Sequence, residues 1–87
     1  MTNNLLVKIT RVLADNIRIY REANGLTVAQ LADRVGVSRQ TINKIETEKS
    51  WITVSLIEKI AKEFGIEQHQ LFQSGLSLKK EVVSEKF

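Results

Sequence analysis

Apolar residues recur at spacings of three and four along most of this chain. From about Asn4 to Asn24, the positions Leu5, Leu6, Ile9, Val12, Leu13, Ile17 and Tyr20 form one stripe of helical period. That stripe predicts an amphipathic helix buried along one side. Asn24 and Gly25 end it, because glycine enters the left-handed cap conformation without strain. A second helix opens at Thr27, whose hydroxyl suits the N-cap while Gln30 reaches back to complete a capping box. Its residues Leu31, Ala32 and Val35 face inward, and Gly36 stops it. A third helix runs from the N-cap Ser38 to about Glu46 and buries Ile42 and Ile45, with Val37 at its entrance. Thr53 caps a fourth, which carries Val54, Ile57, Ile60, Ala61 and Phe64 inward and closes at Gly65. A short fifth helix over about 67–73 offers Leu71 and Phe72. Beyond Gly75 the pattern fits either a short helix or a frayed end.

The reading is therefore all-α: a compact five-helix domain over 1–75 and a short C-terminal tail over 76–87. At 87 residues the chain has room for one helical core and not for two. It holds no cysteine, so neither a disulfide framework nor a thiolate metal site is available, which fits a reducing cytoplasm. No apolar run approaches the roughly 20 residues of a membrane span. The first seven residues also lack the charged start and long apolar middle of a signal peptide. A soluble cytoplasmic protein without membrane association is expected. His69 is the one histidine and stands in the short fifth helix, away from any evident carboxylate cluster. Neither a metal site nor a nucleophile with its base can be assembled from it, so the sequence offers no catalytic residue, no metal ligand and no cofactor site.

Charge sharpens the picture by its placement. Thirteen Lys and Arg against ten Asp and Glu give a net charge of +3, a modest excess. Residues 1–44 carry Lys8, Arg11, Arg18, Arg21, Arg34, Arg39 and Lys44 against Asp15, Glu22 and Asp33, whereas the remainder is slightly acidic. A polyanion would be drawn to the N-terminal half. The second and third helices lie within that half, and their spacing is specific. Two helices crossing steeply need a small side chain where their backbones approach, a residue tolerant of positive φ in the turn, and branched apolar residues beneath the second helix. Ala32, Gly36, Val37, Ile42 and Ile45 meet these needs in order. On the opposite face of helix three lie Gln40, Asn43, Lys44 and Thr47, with Arg39 at its exposed start.

The stretch from Leu26 to Glu46, followed by residues 57–66 and by Leu71 and Phe72, resembles the helix-turn-helix family of phage Cro and CI repressors and XRE-type regulators. The likeness covers about residues 13–73. It implies a lambda-repressor-like DNA-binding domain with an N-terminal helix extension, helix three in the major groove, and a homodimer on a roughly palindromic operator in double-stranded DNA. Half-sites would stand about one or more turns (~34 Å) apart. By position, Arg39, Gln40, Asn43 and Lys44 match the family's base-reading residues. The chemistry agrees, since Arg can fork onto guanine O6 and N7, Gln onto adenine N6 and N7, and Lys onto guanine or a phosphate. Thr27, Ser38, Thr41, Thr47 and Lys49 lie where the family meets phosphates. Arg21 and Glu46 match an ion pair that in some relatives ties helix one to the end of helix three.

The chain departs from the family at three places. Val28 stands where relatives usually have glutamine at the start of helix two. Glu48 replaces the glycine after helix three. Trp51 and Ile52 occupy the approach to helix four, where a proline is usual. Trp51 is expected to pack on the domain, with a contact to the DNA backbone as the alternative. Leu5, Leu6 and Ile9, with Leu76, Leu78, Val82, Val83 and Phe87 of the tail, exceed what a minimal domain of the family needs. They suit pairing of two subunits, holding another partner, or covering the core, with dimerisation favoured. With no second domain in this sequence, no inducer pocket is expected. The run from Ile52 to Lys62 resembles controllers of restriction-modification genes, beside which phage-type repressors remain open. RNA polymerase would be a partner of an activator. The rival reading is an antitoxin, which holds a toxin with one surface and its own promoter with another.

Overall fold

The N-terminal stripe folds into the longest helix, α1 (Asn4–Ala23), against which three of the four later elements pack. The structure, a computed structural model, describes residues 4–74, with side chains from residue 8 onward. The readings placed on the side chains of Leu5 and Leu6 and on the tail from residue 75 fall outside the described residues. After α1 come α2 (Val28–Val35), α3 (Arg39–Glu46) and α4 (Val54–Phe64), then a 3-10 helix over Gln68–Phe72. Among the described residues there is no strand, and no helix is long and apolar enough to cross a membrane.

Each of the five elements contributes one large side chain that is fully or almost fully inaccessible. These are Ile17 from α1, Leu31 from α2, Ile42 from α3, Ile60 from α4 and Leu71 from the 3-10 helix. Burying such a side chain is worth about 1.5–3 kcal/mol relative to leaving it in water, so one shared core holds all five elements together. Around this centre lie Leu13, Tyr20, Leu26, Ala32, Val35, Ile45, Leu56, Ile57 and Ala61. Tyr20 stacks on Phe64 with ring centroids 5.6 Å apart, joining α1 to the end of α4. Burial pushes the Tyr20 hydroxyl pKa above its ordinary value.

The fold class is the expected all-α one, with one change in its last element. The fifth helix is a 3-10 turn of five residues, Gln68–Phe72, too short to repay α-helix nucleation by local bonding. It is held from outside. Asn16, itself buried, donates from Nδ2 to the carbonyls of Leu71 at 2.7 Å and Gln73 at 2.8 Å. The inward pattern also fails at Ile9, 39% exposed near the start of α1, and at two later positions. Val54 is 67% exposed: it is the first residue of α4, two residues before the packed stretch that begins at Leu56. Trp51, likewise 67% exposed, stands at the rim of an apolar cleft instead of being packed into the domain.

Candidate nucleic-acid interface

Local chemistry fixes the α2–turn–α3 unit at both ends. The Thr27 hydroxyl accepts from the Gln30 amide at 3.0 Å, and the Gln30 side chain accepts from the Thr27 amide at 2.8 Å. Two otherwise orphaned donors at the start of α2 are thereby satisfied. At its other end Gly36 adopts φ 77°, a left-handed conformation that a side chain would strain. The Val37 amide then closes back onto the Ala32 carbonyl at 3.0 Å, reversing the chain in a Schellman motif. Ser38 begins α3, its hydroxyl accepting from the Thr41 amide at 3.0 Å.

The two faces of α3 are bound very differently. Inward, Ile42 and Ile45 are buried in the shared core. Outward, Arg39, Gln40, Asn43 and Lys44 are exposed, and their side chains make no hydrogen bond or ion pair among the described residues. Arg39, Gln40 and Asn43 come together around an open hollow of about 330 Å³, whose fourth wall is Val28 at the start of α2. Lys44 lies farther round the helix, outside that lining. Two glycine-free turns of helix therefore present an unpartnered guanidinium, two amides and an ammonium to solvent.

Nearby acids are neutralised from within the domain. Arg21 forks onto Glu46, Nε to Oε2 at 2.7 Å and Nη2 to Oε1 at 2.9 Å, and its Nη1 reaches the Leu26 carbonyl at 2.8 Å. The hydrogen bonds to the Glu46 carboxylate raise the Arg21 pKa further above its ordinary value, against an opposing effect of burial. Glu48, just past α3, lies 3.8 Å from Arg11. The end of α3 is thus relieved of the repulsion that free carboxylates would exert on phosphates, while the Lys49 side chain is exposed.

The hydroxyls near α3 differ in what they have left to donate. Thr27 acts as an acceptor in its cap, so its own proton remains available. Ser38 and Thr41 share one hydrogen bond at 2.9 Å, which uses one of their two protons. Thr47 instead donates to the Asn43 carbonyl at 2.8 Å. Of the outlying residues, Thr27 stands beside Val28, Ser38 and Thr41 at the start of α3, and Thr47 and Lys49 at its far end. No sequence expectation covers Asn16 or the left-handed backbone of Glu48, φ 62°, although Glu48 stands where the family has glycine. A buried asparagine inside an apolar stripe was the available signal for the first.

The helix-turn-helix family pattern matches residues 17–67. Over 60 residues the chain is 40% identical to an uncharacterised helix-turn-helix-type transcriptional regulator of Methanocaldococcus jannaschii, covering 69% of this chain and 91% of that protein. It is 37% identical over 54 residues to the control protein C.SmaI of Serratia marcescens, with 62% and 64% covered. Among solved structures it is similar to a hypothetical transcription factor from Neisseria, with a TM-score of 0.71 at 30% identity, covering 85% of this chain and 82% of that one.

Proposed function

The chain belongs to the helix-turn-helix family of DNA-binding transcriptional regulators, which are not enzymes, and we propose that it reads a roughly palindromic operator as a homodimer. The observation that carries this reading is the division of α3 into a locked inner face and a free outer one. Arg39, Gln40, Asn43 and Lys44 have no bonds to break before meeting base edges. Their groups are those suited to guanine O6 and N7 and to adenine N6 and N7. Thr27, Ser38, Thr41 and Lys49 contact phosphates on either side, through hydroxyl protons and an ammonium group. Thr47 does so only after its hydroxyl turns away from the Asn43 carbonyl.

A second copy of the chain is the partner that a palindromic site requires. Ile9, Trp51 and Phe72, 39%, 67% and 42% exposed, surround the apolar cleft and supply a surface for it. The likeness to control protein C.SmaI favours a controller among the family's small members, acting in the cytoplasm. Selection of bound sites from random DNA tests the reading. Enrichment of a palindrome is expected, and no enrichment overturns it. On the selected operator, Gln40→Ala should cost about 1–3 kcal/mol and relax preference at one base pair. Unchanged discrimination in a titration at fixed salt would remove Gln40 from the reading set.

A further inference from the structure

Val28 departs from the family pattern at a position where a polar contact is usual, and the structure gives the departure a definite setting. One side of Val28 packs against the core. Its other side lines the hollow shared with Arg39, Gln40 and Asn43. In that lining Val28 is the wholly apolar side chain, and as a β-branched residue it is stiff, so its methyls are held in place before any ligand arrives. An apolar spot gains on binding only if an apolar group covers it. The base edges in the major groove of B-DNA present nitrogen and oxygen donors and acceptors, and one apolar group, the C5 methyl of thymine. Gln40 and Asn43, flanking Val28, are the two side chain types that fork onto the N6 and N7 of adenine, thymine's partner.

We infer that Val28 is a specificity-determining residue: with Gln40 and Asn43 it forms a slot for an A·T pair, the valine covering the thymine methyl and an amide engaging the adenine. This rests on the proposed reading of α3 as the element in the major groove. The slot selects thymine over cytosine at one position in each half-site, because cytosine lacks the methyl and presents an amine donor there instead.

The test uses the operator obtained by selection from random DNA. Each thymine of one half-site is replaced in turn by deoxyuridine, which removes the methyl and leaves base pairing intact. With the unaltered protein, one replacement should weaken binding about 3- to 5-fold, the value of one buried methyl. In Val28→Ala that loss should shrink towards none. If Val28→Ala does not fold by circular dichroism, Val28→Gln, which places there the polar residue usual in the family, makes the same comparison. A half-site insensitive to every deoxyuridine overturns the inference, and so does a loss of equal size in the Val28 variant. Both outcomes leave the DNA-reading proposal standing. A selection that enriches no site overturns that proposal and this inference with it.

Discussion

Arg21 and Glu46 show how much can rest on one pair of side chains. Their side chains are 11% and 6% exposed, and the bidentate geometry binds the last turn of α1 to the last turn of α3. Surface pairs such as Arg34–Glu63, with side chains 55% and 25% exposed, are worth little by comparison. Removing one member of the buried pair strands the other charge without its partner. Arg21→Ala should therefore lower unfolding stability by about 3–5 kcal/mol, measured by denaturant titration. The double replacement Arg21→Met with Glu46→Leu should recover most of it, since it leaves no buried charge. A loss below about 1 kcal/mol for the single variant would show that water already satisfies Glu46.

At the scale of elements, the beginnings of the helices were legible because capping is local chemistry. Thr27 with Gln30, Ser38 and Thr53 each bond an amide three residues on, as their sequence spacing implies. What was not legible depends on partners remote in the chain or on backbone shape. The 3-10 helix is held by Asn16, 55 and 57 residues away, a link that no periodicity encodes. The end of α3 is a Schellman motif in which the Glu48 amide bonds the Ile45 carbonyl and the Lys49 amide the Lys44 carbonyl. That motif places Glu48 at φ 62°, where a side chain costs about 1–2 kcal/mol. The sequence exposed the missing glycine but could not show that the backbone would keep glycine's conformation without it. Glu48→Gly should accordingly raise stability by roughly 0.5–1 kcal/mol, after allowing for glycine's greater freedom in the unfolded chain. A lower thermal midpoint in the variant would mean that the 3.8 Å pairing with Arg11 outweighs the strain.

Across the whole molecule, the net charge of +3 matters less than which charges remain free. Glu46 and Glu48 are paired within the domain, whereas Arg39, Lys44 and Lys49 have no ion pair among the described residues. Lys49 lies beyond the row proposed to read bases, so its attraction to phosphate should be independent of sequence. Lys49→Ala should weaken binding to all DNA alike and reduce the slope of log affinity against log salt by about 0.9. An unchanged slope in anisotropy titrations would place Lys49 away from the backbone. The candidate interface was legible at this scale because charge and polar periodicity coincide on α3. The surface proposed for a second copy was less so, since the exposure of Trp51 follows from the path of the connector.

The outer row of α3 ties no other element to the domain, since the side chains of Arg39, Gln40, Asn43 and Lys44 make no hydrogen bond or ion pair among the described residues. On the proposed reading of this row, recognition can diverge while the scaffold stays the same. After gene duplication, a few exchanges along this row give a daughter protein a different target without new demands on its core. Several such paralogues can then operate side by side in one genome, insulated from one another by their binding sites alone.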